Sequence, residues 1–306
     1  MLFTIAKTIR QIENDYPQEN DMHLFSSCVL PENGRIFIIG GSNGADRVIR
    51  EARAHDGHYD IAIINDNMGF AFEFGRCVHN EHTGKSYVCF DVHDEGICRS
   101  STDIESKNGA FPNILHSNKN HYGGDLVVHN GKLTAIGGSL YDNKDGAVEV
   151  FSESTSRWDA STIPALGRKL TLFTALSIED ALYIFGGIEW KGNPRSRRYR
   201  DPPNDHVPGL ALAGTKWRQS KAVLKLSNGQ WVLMEDLKEP KYFHRSIIWN
   251  EQLFHVGGCI KITKTRCGRT HCIKPSSCEV RLVCIISWDR YFNVGIISVL
   301  ENLLHH

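Results

Sequence analysis

Four short apolar runs along the chain each end in a pair of adjacent glycines. Another apolar run precedes each of them, and a polar pair such as Asn33-Gly34 or Asn130-Gly131 separates the two. Asn-Gly between two β-type runs predicts a tight hairpin, because both residues tolerate a positive φ. Each unit therefore predicts two antiparallel strands, the second of which ends at the glycines. The terminating runs are GRIFIIGG, GKLTAIGG, DALYIFGG and EQLFHVGG, and their glycines are Gly40-Gly41, Gly137-Gly138, Gly186-Gly187 and Gly257-Gly258.

These units recur with a period near 50 residues. Gly186 lies 49 residues after Gly137, and Gly137 lies 97 residues after Gly40, which leaves room for one more unit. The run TGKSYVCF occupies that place, with Cys89-Phe90 instead of the glycines. Repeats of about 40 to 50 residues built from β-type runs are typical of propeller blades. The sequence predicts an all-β propeller with five recognisable blades, either six-bladed or incomplete.

A third strand that ends in a tryptophan follows the glycines in two repeats. One such segment contains Phe151 and ends at Trp158, and another ends at Trp231. We expect these tryptophans to pack between adjacent blades, where each would bury a large apolar area. A hydrophobic strand ending in Gly-Gly, then an aromatic residue and a tryptophan, resembles the kelch repeat. The resemblance covers residues 22 to about 258 and implies a kelch-type β-propeller, with the glycine pairs, Phe151, Trp158 and Trp231 as its structural positions.

One domain accounts for most of the chain. We expect residues 1–258 to form the propeller and residues 259–306 to form a cysteine-rich tail, which supplies strands to the last blade or is poorly ordered. The resemblance also implies that a terminal strand closes the ring, and the candidates are Met1–Arg10 and Val280–Ser287. The expected repeats lie near residues 22–68, 70–118, 120–168, 169–239 and from 240 onward.

The fourth repeat carries an insertion, residues 190–216. Between Lys191 and Asp205 it has five basic and two acidic residues, together with three prolines. Such a composition predicts a long loop on a rigid scaffold, which is either simply solvated or a recognition element. An acidic protein partner would contact its cationic and aromatic residues. The candidate partner-binding residues are Trp190, Arg195, Arg197, Arg198 and Tyr199.

The overall charge argues against two classes of partner. The 35 basic residues balance 35 acidic ones, so neither nucleic acid nor an anionic membrane surface is suggested. No uncharged apolar stretch is long enough to span a bilayer, and the first ten residues make a poor signal peptide. With no Asn-x-Ser/Thr acceptor, the sequence leans toward a cytoplasmic protein. The oligomeric state is left open.

The cysteines leave several alternatives open. Five of the nine lie in the tail beside His271, but their spacing contains no Cys-x-x-Cys knuckle. Structural zinc, disulfides and buried thiols are therefore alternatives, and no metal site or cofactor is predicted. Cys89 and Cys98 face each other across a predicted hairpin, as packed thiols or as a bridge. The tail cysteines are Cys259, Cys267, Cys272, Cys278 and Cys284.

The function expected from these patterns is non-enzymatic. No nucleophile–base pair or paired carboxylates occur at a telling spacing, so no catalytic residue is predicted. We expect a scaffold that binds a protein partner through the loops of one face, in the role of a substrate-recognition subunit in some relatives of the kelch type. Because fewer than 22 residues precede the first repeat, a BTB domain is not expected. The alternatives are an enzyme resembling galactose oxidase or a kelch-type sugar isomerase, and an actin-associated structural protein.

Overall fold

The computed structural model describes residues 28–32, 35–41, 47–55, 58–106, 110–138, 146–190, 217–249, 252–256, 264–267, 270–273 and 282–287. Over these ranges the chain forms strands joined by turns and extended connections, without a helix. The all-β class predicted from the repeats is therefore confirmed. The same ranges contain no helix long and apolar enough to cross a membrane.

Four consecutive groups of strands form four-stranded antiparallel sheets, in which each strand pairs with the one that precedes it in the group. The first sheet contains β1 (Cys28–Glu32), β2 (Arg35–Ile39), β3 (Ile49–His55) and β4 (His58–Asn65). The second sheet contains β5 (Arg76–Asn80), β6 (Lys85–Cys89), β7 (Ile97–Ser101) and β8 (Asn113–His116), and the third contains β9 (Asp125–His129), β10 (Lys132–Ile136), β11 (Val148–Ser152) and β12 (Arg157–Asp159). The fourth sheet contains β14 (Thr174–Ile178), β15 (Ala181–Phe185), β18 (Val223–Ser227) and β19 (Gln230–Leu233).

Three smaller sheets complete the described structure. A three-stranded sheet includes the two strands that flank the insertion; it contains β13 (Leu170–Thr171), β16 (Ile188–Trp190) and β17 (Trp217–Gln219). The fifth sheet contains β20 (Arg245–Trp249), β21 (Gln252–Val256) and β24 (Leu282–Ser287), and a separate hairpin contains β22 (Lys264–Cys267) and β23 (Thr270–Ile273). The candidate closing segment Val280–Ser287 thus includes β24, which pairs with β21 inside the fifth sheet. The other candidate, Met1–Arg10, lies outside the described residues.

The second strands are apolar at consecutive positions because both of their faces are covered. On β6, Val88 packs with Phe37 of the first sheet, whereas Tyr87 packs with residues of the third sheet. On β15, Leu182 packs with the third sheet and Tyr183 with Leu253 of the fifth. A strand buried on both faces has a continuous apolar run, which is the pattern of the four terminating runs.

The first strands of successive sheets lie side by side. Contacts join β1 to β5, β5 to β9, β9 to β14 and β14 to β20. Near the ends of the first strands, polar bonds also join the neighbouring sheets. Ser86 donates to Glu32 (2.8 Å), Asn80 donates to the Gly131 carbonyl (3.0 Å), and the His129 ring lies 2.9 Å from the Ser177 hydroxyl.

Each connection between two sheets ends in a left-handed residue, two positions before the next first strand. These residues are Phe74, Gly123, Leu172 and Phe243, with φ of 57°, 75°, 56° and 58°. Their backbones bond from sheet to sheet: the Phe243 amide donates to the Leu172 carbonyl (3.0 Å), and the Leu172 amide donates to the Gly123 carbonyl (2.6 Å). Because the conformation recurs in four connections, it is a repeated structural requirement, although only one of the four residues is a glycine.

The glycine pair lies between the connection that enters its sheet and the connection that leaves it. A Cβ on Gly186 would lie 2.4 Å from the carbonyl oxygen of Lys241, in the connection that leaves the fourth sheet. A Cβ on Gly187 would lie 2.6 Å from the carbonyl oxygen of Thr171, in the connection that enters it. Both glycines also have positive φ, 67° and 90°. Only residues without a side chain fit between the two connections without displacing one of them.

In the second sheet, Phe90 and not Cys89 occupies the position of the first glycine. Arg76, the first residue of β5, pairs with Cys89, just as Asp125 pairs with Ile136, which precedes Gly137. Phe90 accordingly has a φ of 59°, close to the 58° of Gly137. The glycine pair is therefore replaced by Phe90-Asp91, one residue later than the sequence suggested.

The two tryptophans pack toward the preceding sheet. Trp158 is buried, with ring centroids 5.3 Å from Phe151 and 6.0 Å from Phe90, whose β6–β7 connection belongs to the second sheet. Trp231 packs against a cluster shared by the third and fourth sheets, and its indole nitrogen donates to the Pro164 carbonyl (2.8 Å). Each tryptophan thus fills the space between two sheets.

Gly186→Ala is expected to destabilise the fold more than Gly229→Ala. Both glycines have positive φ, 67° and 72°, so each substitution carries the cost of a left-handed alanine, about 1–2 kcal/mol. Gly229 has open space around its Cβ position, whereas Gly186 faces the Lys241 carbonyl. The displacement of that connection adds about 1–3 kcal/mol. Urea unfolding of the two variants measures the difference, and equal losses would contradict the role assigned to the glycine pair.

Candidate functional site

The first residues of the first strands come together at one end of the sheets. The pairing register makes five residues equivalent, because each lies opposite the last residue of its second strand: Cys28, Arg76, Asp125, Thr174 and Arg245. We call this end the entry face. It is also formed by the four connections, residues 66–75, 117–124, 160–173 and 234–244.

These five residues were not predicted as a site, although the sequence contains a signal for four of them. Cys28, Asp125, Thr174 and Arg245 each lie 12 residues before the first glycine of their pair, whereas Arg76 lies 14 residues before Phe90 in the repeat that has no glycine pair. A fixed offset of 12 residues would have aligned the first four residues but not Arg76. The opposite charges of Asp125 and Arg245 would then have stood out at one repeated position.

Arg76, Asp125 and Arg245 form an ionic cluster across three sheets. Asp125 Oδ1 lies 3.2 Å from Arg76 Nε and 3.0 Å from Arg245 Nη1. The Asp125 carboxylate is almost completely buried, Arg76 is 12% exposed and Arg245 is 44% exposed. Arg76 also donates to the carbonyls of Gly124 (2.9 Å) and Gly75 (3.1 Å), which fix its guanidinium against the backbone.

Further bonds at the same register join the other first strands. The second oxygen of Asp125 accepts the Ala175 amide (2.6 Å), which links the third sheet to the fourth. The Thr174 hydroxyl accepts the Ser246 amide (3.1 Å), which links the fourth sheet to the fifth. A disulfide between Cys28 and Cys77 links the first sheet to the second. Every pair of neighbouring first strands is thus bonded near its starting residues.

Two ionisable side chains of the entry face, Arg76 and Tyr122, have shifted pKa values. Burial lowers the pKa of Arg76 to about 10, the charge of Arg245 acts in the same direction, and Asp125 opposes both. Burial also raises the pKa of Tyr122 to about 12; Arg76 acts to lower it, while Glu95 and Glu73 act to raise it. Arg76 thus keeps its charge at neutral pH but is poorly hydrated, which strengthens its electrostatic interactions.

Two buried histidines lie beside the ionic cluster. His244 and His255 have ring centroids 5.0 Å apart, and neither nitrogen of His244 has a partner in the described part of the chain. Burial holds the pKa of His244 well below its usual value, and the charges of His255, Lys241 and Arg245 lower it further. Burial, followed by the charge of Lys241, lowers the pKa of His255 to about 3. Both rings are therefore neutral at physiological pH.

One large aromatic residue of the entry face is exposed. Phe243 is 40% exposed and lies two residues before Arg245 at the start of the fifth sheet. The backbone bond to Leu172 fixes it in its left-handed conformation, and its ring contacts Tyr242 with centroids 5.7 Å apart. An apolar ring and a guanidinium are therefore presented together.

A buried, hydrogen-bonded His–Glu pair fixes the connection between the second and third sheets. His121 Nε2 lies 2.9 Å from Glu149 Oε2, and His121 Nδ1 lies 2.7 Å from the Gly137 carbonyl. Burial acts to raise the pKa of Glu149, but hydrogen bonds from His121 and Asn118 outweigh it and lower that pKa. His121 therefore has a structural role, and His244, with its unpartnered nitrogens, does not repeat it.

Of the candidate partner-binding residues of the insertion, the structure describes the backbone of Trp190 alone. Trp190 ends β16 and its Cα pairs with that of Trp217, so it lies at the base of the insertion. Arg195, Arg197, Arg198 and Tyr199 lie outside the described residues, as do Gly257 and Gly258. The structure does describe the strand that leads into the insertion. This strand, β16, follows Gly186-Gly187 directly and pairs with β13, which belongs to an entry-face connection.

The structure pairs four cysteines of the sheets in two disulfides. Cys89 and Cys98, for which packed thiols and a bridge were both open, are disulfide-bonded. The disulfide between Cys28 and Cys77 was not predicted from the sequence. In the tail, Cys267 and Cys272 lie on the two strands of one hairpin, opposite Thr270 and Thr265. Within the ranges that the structure covers, no group of three or more His, Cys, Asp or Glu residues could hold a metal ion.

Comparisons with known proteins leave the family open. No family model matches the chain, and no curated protein is significantly similar to it. The solved structure of YjhT is similar over 88% of this chain and 97% of that chain, with 15% identical residues and a TM-score of 0.46. A likeness at that level assigns neither a family nor an activity.

Acid is expected to destabilise the protein through the two buried histidines. Below pH 6.5 the unfolded chain protonates these rings, whereas the folded protein keeps them neutral, so the free energy of unfolding falls as the pH falls. The loss is about 1.4 kcal/mol per pH unit for each histidine, and for His255 it continues to its folded pKa of about 3. Urea unfolding from pH 7.5 to 4.5 measures this slope.

His244→Phe serves as the test variant and His116→Phe as its control, since His116 is exposed on β8. We expect His244→Phe to flatten the slope by about 1.4 kcal/mol per pH unit, because one buried ring no longer titrates. His116→Phe leaves the slope unchanged. An unchanged slope in His244→Phe would rule out this histidine as a source of acid sensitivity.

Proposed function

We propose that the chain is a kelch-type β-propeller that acts as a non-enzymatic protein-binding module, with the entry face as its binding surface. Three features support the propeller: the repeats of about 49 residues, the contacts between successive first strands, and the glycine pairs between consecutive connections. A propeller places its first strands around a common axis, so the entry face surrounds that axis.

The observation that carries the binding role is the presentation of Phe243 and Arg245 on a rigid base. Both are exposed, yet the backbone of Phe243 bonds to Leu172 and the guanidinium of Arg245 bonds to Asp125. Aromatic residues and arginines dominate the binding energy of protein interfaces, and a fixed side chain loses little entropy when a partner binds. The insertion, whose flanking strands β16 and β17 adjoin the same face, adds a second contact.

The disulfides indicate the kind of compartment in which the partner is expected. Disulfides such as Cys28–Cys77 persist in oxidising compartments. They support a partner in such a compartment rather than in the cytoplasm, which the sequence alone suggested.

Phe243→Ser is expected to weaken the complex at least about tenfold, equivalent to about 1.4 kcal/mol. The partner is identified by chemical cross-linking of the tagged chain in extracts of oxidising compartments, followed by mass spectrometry. We expect the cross-linked peptides to include the connections 117–124 and 234–244. The dissociation constant is then measured with the purified partner.

Ile114→Ser is the matched control, because Ile114 is another exposed hydrophobic residue but lies on the outer strand β8. This variant keeps the affinity of the wild type. If Ile114→Ser weakened the complex as much as Phe243→Ser, or if the cross-links fell on the opposite ends of the sheets, the assignment of the entry face would be wrong.

The insertion is tested separately by replacing residues 191–216 with Asn-Gly. Trp190 and Trp217 pair directly, so a two-residue turn closes the ribbon without disturbing β16 or β17. We expect this variant to fold normally and to bind the partner more weakly. An unchanged dissociation constant would exclude the insertion while leaving the entry face in place.

A further inference from the structure

We propose that the entry face contains a carboxylate-binding site formed by Arg245 and Arg76. The inference deepens the proposed function, on which it rests, by naming the chemical group of the partner that the face recognises. The ionic cluster has a surplus of positive charge and leaves guanidinium donors unused.

The cluster has more positive than negative charge. Asp125 is the one carboxylate in contact with either guanidinium in the part of the chain that the structure describes. Two arginines and one aspartate leave a surplus of one positive charge. One further carboxylate would neutralise the arginine–aspartate cluster.

The unused donors have the geometry that a carboxylate requires. Asp125 occupies Nη1 of Arg245, so Nε and Nη2 have no partner among the described residues. These two nitrogens donate in parallel along one edge of the guanidinium, which is the arrangement that binds both oxygens of a carboxylate. Arg76 uses Nε and Nη1 for backbone carbonyls, and its Nη2 has no bond to any residue in the ranges that the structure covers.

The site is held in place before a ligand binds. Arg76 is fixed by two carbonyls, and Asp125 is fixed by the Ala175 amide through its second oxygen. Arg245 is the most exposed member and bonds to that same carboxylate. A ligand therefore meets guanidinium groups whose orientation is already determined, and this reduces the entropy cost of binding.

The carboxylate can come from an acidic side chain of a partner protein or from a small organic acid. Isothermal titration calorimetry with the whole chain uses acetylated tetraglutamate amide and glutarate as probes, and acetylated tetralysine amide as the control. We expect tetraglutamate to bind and tetralysine not to bind. Binding of tetraglutamate alone supports a protein source, and equal binding of glutarate supports a small acid. The affinity falls as salt is raised, because partly exposed charges are screened.

Two substitutions are expected to act in opposite directions. Arg245→Ala removes the parallel donors and weakens tetraglutamate binding at least about tenfold, whereas Arg245→Lys, which keeps the charge but not the fork, restores only part of it. Asp125→Asn removes the competing carboxylate and strengthens binding at least about threefold, provided that its thermal unfolding remains cooperative. Lys132→Ala, an exposed cation at the opposite end of the sheets, changes nothing.

Failure of this site is distinguishable from failure of the proposed function. If neither acidic probe binds, or if Arg245→Ala binds them as the wild type does, the carboxylate site is wrong, whatever the protein partner does. If the probes bind as expected but no partner cross-links to the entry face, the anion site stands and the protein-binding role falls. An Asp125→Asn variant that remains folded and loses affinity would also overturn the proposal.

Discussion

The bonds between the starts of neighbouring first strands are the constraint on which the rest of this structure depends. A four-stranded sheet with apolar residues on both faces cannot be stable alone, because each face must be covered by a neighbour. Packing supplies most of the driving force but is tolerant of sliding. The bonded positions remove that freedom: the Asp125 carboxylate forms an ion pair with Arg76 and accepts the Ala175 amide, and the Leu172 amide donates to Gly123.

The same bonds explain why charged residues occupy a position that is otherwise buried. An ion pair withdrawn from water is often no more stabilising than an apolar pair of the same size. Its value here is geometric, since the Asp125 oxygens satisfy groups from the second, fourth and fifth sheets simultaneously. Removal of the carboxylate would leave the largely buried Arg76 without its acidic partner. Affinity for an outside anion then follows from the same arrangement.

The sequence predicts the repeated hairpins and the all-β class because these depend on local patterns. Asn130-Gly131 specifies a turn wherever it occurs, and an apolar run that ends in Gly137-Gly138 indicates a strand that is covered on both faces. The left-handed conformations of Leu172 and Phe243 were not predictable, since large side chains disfavour them and only the bonds between sheets impose them. The contact of Arg76 with Asp125 likewise needed the arrangement of the sheets, since the 12-residue offset before the glycines aligns Asp125 with Arg245 but not with Arg76.

The two ends of the sheets differ in the kind of chain segment that connects their strands. At the opposite end, hairpins such as Asn130-Gly131 and Asn228-Gly229 close with short turns, and polar groups such as Asn80 are bonded to the neighbouring sheet. Added residues in such a two-residue turn would change the type of the turn. At the entry face the chain passes between sheets and between second and third strands, where extra residues do not disturb pairing. The fourth sheet accepts an insertion of more than twenty residues between β16 and β17, and it does so at this end. The scaffold therefore accommodates the insertion of the fourth sheet at the entry face, between β16 and β17, where no tight hairpin has to be preserved.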